Sequence, residues 1–254
     1  EKLMAPADLV LHMAAALGVN TILEKTIESV SVNFTGSEVV LNAATKLKKR
    51  IIIASTSEIY GKNPEQPLHE ESDRVVGAPQ KIRWTYSDAK ALEEAIAHSL
   101  HTTQGLKVTT VRLFNTVGPR QTGRYGMVVP RFVQAALKNQ ALTIYGDGMQ
   151  TRSFCYVDDL LSGMMGMMNS RDGFTGPVNI GNPKEFTMLE LAEEVLKQVG
   201  GRSKLVHLAL PQDDPKQRKP DISLAQSELG WQPSIGLAEG LVDTIAYFKK
   251  VLAK

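Results

Sequence analysis

A phenol and an ammonium stand four residues apart in Tyr86-Ser87-Asp88-Ala89-Lys90. On a helix, positions i and i+4 share a face, so both side chains point the same way. A nearby ammonium favours phenolate over phenol and draws the tyrosine pKa down from its reference of about 10 toward working pH. Tyr86 then becomes a competent base for an alcohol proton, with Lys90 as its electrostatic partner. The spacing alone says little, because a pair on a solvated helix face reads the same way.

A second polar group sharpens the pattern. Ser55-Thr56-Ser57-Glu58-Ile59-Tyr60-Gly61 follows directly on the apolar run Ile51-Ile52-Ile53-Ala54. A run without alternation is the mark of a parallel strand covered on both faces. In doubly wound sheets ligands gather at the carboxyl ends of such strands. There a Thr56 hydroxyl can hydrogen-bond the same substrate oxygen that Tyr86 deprotonates, or simply satisfy the strand end.

The elements that must position these groups alternate. Leu9 to Met13 reads as a strand, and Val32, Gly36, Val39, Val40 and Ala43 fall at helical spacing in a helix ending among Lys46 to Arg50. Tyr86 to His98 reads as a helix and Val108 to Phe114 as a strand, a βαβα rhythm that predicts a doubly wound α/β sheet. After Gly118 the elements shorten. Pro119 to Gly126 is expected as a loop, Val128 to Leu137 as a helix, and Leu142 to Tyr145 as a strand. Val157 to Met168 is expected as a helix and Val178 to Ile180 as a strand. Thr187 and Glu190 have the spacing of a capping box opening a helix to Val199. Leu205 to Leu208, Ile222 to Leu229 and Leu237 to Leu252 follow as strand, helix and helix. The expected division is a sheet domain over 1–118, with part of 153–184 returning to it, and a smaller α/β lobe over 119–152 and 185–254. Met164, Met165, Met167 and Met168 lie at helical spacing and read as gap-filling core.

Composition narrows the class. The chain has 254 residues, 43% of them hydrophobic, with 29 basic and 27 acidic side chains for a net charge of +2. That composition excludes a disordered chain, and the scattered charge gives no nucleic-acid footprint. The one cysteine, Cys155, excludes an intrachain disulfide and a cysteine-based zinc site, and suits a reducing, cytoplasmic compartment. No metal is expected. No apolar run approaches the roughly 18 residues of a membrane span, and no signal peptide or membrane association is expected.

The strand-end motif Ser55 to Gly61 paired with Tyr86-x-x-x-Lys90 resembles the extended short-chain dehydrogenase/reductases, specifically the NAD-dependent nucleotide-sugar epimerases, dehydratases and decarboxylases. His12-Met13-Ala14-Ala15, Arg112-Leu113-Phe114-Asn115-Thr116-Val117-Gly118-Pro119-Arg120, Tyr145-Gly146-Asp147-Gly148-x-Gln150-Thr151-Arg152 and Arg218-Lys219-Pro220-Asp221 extend the likeness from about Asp8 to the C-terminus.

The resemblance implies a Rossmann-like sheet and NAD as cofactor. Thr56, Tyr86 and Lys90 match the catalytic trio, and Lys90 also matches a ligand of the nicotinamide ribose. Ala14, Ala15, Asn33 and Ser55 match positions lining the cofactor. Asn115, Arg152 and Arg218 match contacts to the sugar-nucleotide diphosphate, a role suited to guanidinium forks. The backbone at Ile144 and Tyr145 matches a segment that reads a uracil edge, and Met127 and Val128 match the lip of that pocket. Uridine is therefore expected over thymidine or guanosine. The implied reaction oxidises the sugar C4 hydroxyl to a ketone.

Ser57 and Glu58 bear on the fate of the ketone. Dehydratases of the family place Asp-Glu after the threonine; Ser57 removes that acid, so dehydration is disfavoured. Thr56-Ser57-Glu58 and Asp213 to Ile222 resemble UDP-glucuronate decarboxylases, whereas Gly118 to Pro130 resembles UDP-glucose 4-epimerases, and 4-epimerisation is the narrow expectation. A non-catalytic sugar-nucleotide-binding chain is the other reading. No glycine-rich dinucleotide turn follows a strand and opens a helix in this sequence, and Leu9 to Met13 resembles the fourth strand of such a sheet. The expectation is thus an N-terminal truncation by about 60 residues, roughly two βα units, with weak NAD binding of its own. A homodimer is implied, pairing the helix after Val32 with that of Tyr86. Ala89, Ala91, Leu92 and Ala95 suit that contact or burial on their own sheet equally.

Overall fold

The computed structural model describes residues 1–253 apart from 19–21, 23, 124–125, 211–214 and 216. Strand β1 (Leu9–His12), helix α1 (Thr26–Lys46), β2 (Arg50–Thr56), α2 (Thr85–Gln104) and β3 (Val108–Leu113) come first. β4 (Thr116–Val117), α3 (Val128–Leu137), β5 (Leu142–Tyr145), β6 (Thr151–Ser153), β7 (Cys155–Tyr156), α4 (Val157–Met168) and β8 (Val178–Ile180) follow. β9 (Glu185–Thr187), α5 (Met188–Val199), β10 (Leu205–Leu208), α6 (Ser223–Leu229) and α7 (Leu237–Leu252) complete the described elements.

The main sheet is parallel, in the order β1-β2-β3-β8. Its central strand is buried on both sides because Ile51 and Ile53 face Leu41, Ala44, Ala97 and Leu100 of α1 and α2, while Ile52 faces Leu160, Met164 and Met167 of α4. An unalternating isoleucine run is what two covered faces require. Met164 and Met167 fill that second face, whereas Met165 projects to solvent. A separate apolar core unites α3, α5 and α7 with β5, drawing in Val133, Ile144, Leu191, Val195, Leu241 and Phe248. Ile222, Ala225 and Trp231, although within 185–254, pack in the sheet-side core against α4 and β8. Asp159, buried in the first turn of α4, accepts the backbone N–H groups of Ser234 and Ile235 at 3.0 and 2.8 Å and fixes the approach to α7.

Two helices run past their predicted ends for polar reasons. α1 begins at Thr26, ahead of Val32, because the inner stripe of its first half is Ser29, Asn33 and Ser37, which shows no apolar periodicity. α2 continues through Thr102 and Thr103, whose hydroxyls bond back to the carbonyls of His98 and Ser99, and stops at Gly105 in the left-handed region with φ 72°. The capping box at Thr187 and Glu190 forms in both directions. The short strands β4, β6, β7 and β9 lack the length to leave a periodic signal.

Candidate active site

Thr56 ends β2 in extended conformation, and its Oγ1 accepts the N–H of Glu58 at 3.2 Å, capping a 3-10 turn over Ser57–Tyr60. The same hydroxyl is hydrogen-bonded to Tyr86, half-buried in the first turn of α2. One turn further, Lys90 is 1% exposed. Thr56, Tyr86 and Lys90 are therefore brought to one place at the carboxyl end of the central strand. Ser57 is buried within the turn, and Ser55 is buried in β2 with no protein partner for its hydroxyl among the described residues.

Glu58 lies at the centre of the charge in the site. Arg218 Nη1 donates to its Oε1 at 2.5 Å, and Arg83 Nη2 lies 3.3 Å from its Oε2. Burial works to raise the Glu58 pKa, but Arg218, Arg83 and Arg152 outweigh it and hold the carboxyl below its usual range. Glu58 stays ionised.

Tyr86 departs from expectation. Its pKa is not drawn down by Lys90 but pushed up to about 12, by burial first and then by the carboxylates of Glu58 and Glu93, against the hydrogen bond from Thr56. Lys90 is itself paired: its Nζ donates to Glu93 Oε2 at 2.6 Å, both groups being about 1% exposed. A compensated ammonium exerts little pull on the phenol.

The remaining candidates fall on the walls. Asn33 is spent on the chain after β1, its amide exchanging two hydrogen bonds with the backbone of Ala16 at 2.7 and 2.8 Å; Ala14 beside it is exposed and Ala15 half-buried. Asn115 Nδ2 donates to Ser153 O at 3.1 Å, and Ser153 Oγ to Arg218 O at 3.2 Å, so these three are stitched together. Arg152 and Arg218 are buried, and Arg218 Nε has no protein partner among the described residues. Met127 caps α3 and Val128 opens it, both half-buried. The Ile144 side chain belongs to the small-lobe core, leaving only its backbone to face a ligand, while half-buried Tyr145 receives Gln150 Nε2 on its carbonyl at 2.9 Å. Asp213 and Asp214 lie outside the described residues. Among the described residues no group of His, Cys, Asp and Glu could hold a metal ion, and no helix is long and apolar enough to cross a membrane.

Sequence reasoning missed Arg83 and Glu93. Each carried a signal: Arg83 stands three residues before Tyr86 at the mouth of α2, and Glu93 seven after it, which is two turns along the same face.

A strand-end threonine joined to a helical Tyr-x-x-x-Lys on a parallel sheet defines the extended short-chain dehydrogenase/reductase class. Within it the chain belongs to the GDP-mannose 4,6 dehydratase family, whose sequence profile matches residues 3–244. It is 40% identical over 252 residues to the UDP-N-acetyl-alpha-D-glucosaminuronate decarboxylase of Bacillus cytotoxicus, covering 96% of this chain and 77% of that protein. It is 37% identical over 254 residues to UDP-glucuronic acid decarboxylase 1 of Xenopus tropicalis, covering 99% of this chain but 59% of the relative. The UDP-glucuronic acid 4-epimerase of Bacillus cereus, solved with UDP-glucuronic acid and NAD, superposes with a TM-score of 0.90 at 28% identity, over 98% of this chain and 78% of that one. The UDP-glucose 4-epimerase of Thermotoga maritima, solved with UDP-glucose, gives 0.90 at 28% identity, over 99% and 81%.

Proposed function

We propose that the complete protein uses NAD to oxidise C4 of a UDP-linked uronic acid and that the resulting 4-keto acid loses carbon dioxide. The observation that carries the reading is the Thr56–Tyr86 hydrogen bond beside the buried Lys90, flanked by the Glu58–Arg218 pair. Decarboxylation is supported by the relatives at 36–40% identity, which bear decarboxylase names. A uronate is also the ligand named for the epimerase of Bacillus cereus.

The residues present fit the nicotinamide end of the cofactor. β1 ends at His12, opposite Ile53, and β2 runs on past it to Thr56; the small residues Ala14 and Ala15 follow β1, and the orphaned Ser55 hydroxyl offers a donor or acceptor. When bound, NAD supplies a hydride acceptor. Tyr86 takes the C4 hydroxyl proton while Thr56 hydrogen-bonds the same oxygen, holding it as carbonyl character develops. Arg218, through its free Nε, and Arg152 provide cationic donors for the diphosphate. Once C4 is a ketone, a carboxylate on C5 is a β-keto acid. Its C–C bond breaks, carbon dioxide departs, and the electron pair passes into the ketone as an enolate that regains a proton at C5. With the hydride returned to C4, Tyr86 gives its proton back to the C4 oxygen and the UDP-pentose results.

A second reading is inversion at C4, supported by solved epimerases that superpose at TM-scores of 0.89 to 0.91. Incubating the complete protein and NAD with UDP-glucuronate, UDP-N-acetylglucosaminuronate and UDP-glucose, followed by NMR, separates the two. A UDP-pentose with carbon dioxide supports decarboxylation. Unchanged mass with inverted C4 moves the assignment to epimerisation. Binding without turnover of any of them overturns both readings.

The site is read as taking no nucleic acid and no membrane, and buried Cys155 suits a reducing cytoplasm. The paired helices α1 and α2 leave Val32, Val39 and Leu92 exposed on their outer faces while Ala89 is buried, which supports a homodimer through these helices. Sedimentation of the complete protein tests it; a monomer at micromolar concentration rejects it.

A further inference from the structure

The inner face of α2 carries Tyr86 and Lys90 and then continues to a third ionisable group. Glu93 is 1% exposed and accepts from Lys90 Nζ at 2.6 Å. Its other oxygen, Oε1, lies 3.9 Å from His12 Nε2 at the end of β1, with Ser37 of α1 as its neighbour. That His12 nitrogen is 3.0 Å from Ser37 Oγ on α1. The ammonium, carboxylate, imidazole and hydroxyl thus form a closed polar group in the seam between two helices and a strand.

Such a group is an expensive way to join helices. Withdrawing an ammonium and a carboxylate from water costs several kcal/mol per ion, and apolar residues of similar size would pack the seam as well. Glu93 also opposes the purpose of its neighbour. An ammonium one turn from Tyr86 would favour the phenolate, whereas the Glu93 carboxylate bonded to it disfavours the phenolate.

We propose that Glu93 is a positioning residue of the reaction: by tethering Lys90 inside the helix seam it governs how readily Tyr86 gives up its proton. The proposal rests on the assignment of Tyr86 as the base. The charges acting on the phenol are Glu58 after β2, with Arg218, Arg83 and Arg152 behind it, and Glu93 on α2, which is bonded to Lys90. Those facing Glu93 are Lys90 and Glu94 on α2 and His12 on β1, with Ser37 on α1 as a hydrogen-bonding neighbour. Burial raises the Glu93 pKa against the pull of Lys90, and burial followed by Lys90 lowers that of His12, so the histidine stays neutral and Lys90 is left as the carboxylate's counter-ion.

The test uses the complete protein without substrate or cofactor. Phenolate absorbance is titrated with alkali in the parent, Glu93→Gln and Glu93→Asp proteins, each against its own Tyr86→Phe counterpart to isolate the one tyrosine. Glu93→Gln keeps the shape and removes the charge, and its Tyr86 phenolate is expected at lower pH by about one unit, a tenfold gain in ionised fraction. The rising limb of kcat against pH with NAD and UDP-sugar moves the same way. Glu93→Asp keeps the charge at a longer reach and falls between the two, so it serves if the glutamine variant does not fold. Coincident phenolate curves for the parent and the folded variants overturn the proposal, whatever substrate the enzyme is found to turn over. A seam that only packs helices would change the melting temperature and leave both pH curves in place.

Discussion

Arg218 and Glu58 are 160 residues apart in the chain and 2.5 Å apart in the fold. Their bond ties the segment leading into α6 to the turn that follows the central strand. Arg218→Ala leaves the partly buried Glu58 carboxylate with Arg83 as its closest cation, and removes the donor proposed for the diphosphate. Truncating one partner of a buried charge-assisted contact costs about 2–5 kcal/mol, so loss of the proposed Arg218–diphosphate contact is expected to lower UDP-sugar affinity roughly 30-fold or more, measured by calorimetry. Arg218→Lys recovers little, because an ammonium cannot bridge two oxygens as a guanidinium fork does.

The same carboxylate gives a pH prediction. Glu58 is held below its unfolded pKa, so it contributes stability above the unfolded value of about 4.3, and that contribution fades as pH falls through the folded value. Glu58→Gln is expected to be less stable than the parent near neutrality and to converge with it in acid. Urea unfolding from about pH 7 down to about pH 3 reads this; parallel curves would contradict it.

Tyr86→Phe removes the proposed base while keeping the ring. Turnover is expected to drop by about 10²–10⁴ with UDP-sugar binding preserved. Thr56→Val, which deletes the hydroxyl shared by Tyr86 and the Glu58 N–H, lowers kcat less and destabilises the fold by about 1 kcal/mol through the lost cap. Unimpaired turnover in Tyr86→Phe would remove the assignment of the base.

Gly61 closes the turn below the site at φ 62°, and a Cβ there would collide with the Val75 carbonyl, which accepts from Lys62 N at 2.7 Å. Both the backbone conformation and the contact exclude a side chain. Gly61→Ala is expected to destabilise the protein by about 1–3 kcal/mol, seen as a lower Tm, and to reduce kcat through displacement of Thr56.

Burial pushes the Cys155 thiol up to about 12, with Asp159 adding to the shift. At neutral pH it is therefore almost wholly a thiol, and the thiolate is the reactive form. Alkylation by iodoacetamide is expected only on unfolding, with a rate that follows urea concentration; rapid labelling of the native protein would refute this.

Much of this architecture is legible because its physics is local. Ile51 to Ile53 announce a two-faced strand, Thr187 and Glu190 form their cap within one turn, and Tyr86 and Lys90 meet through helical spacing alone. What could not be read arises from tertiary contact. The first half of α1 hides behind Ser29, Asn33 and Ser37, whose burial answers to β1 and the chain after it. The ionisation of Tyr86 runs opposite to the pairwise expectation because burial and the carboxylates of Glu58 and Glu93, both set by tertiary packing, push its pKa up. Arg83, at the mouth of α2, and Arg218, before α6, converge on Glu58 only in the folded chain.

Leu68 pairs with Pro220: its N–H donates to Lys219 O at 2.7 Å, and its carbonyl accepts from Asp221 N at 2.8 Å. Asn179 reaches both strands of that junction, donating to the carbonyls of Leu68 and Asp221. Contacts between such distant stretches of chain form late in folding, since loop closure must come before they are rewarded. Seating of Arg218, two residues before Pro220, is therefore expected after the local helices have formed, and recovered catalysis is expected to trail the return of secondary structure after dilution from denaturant.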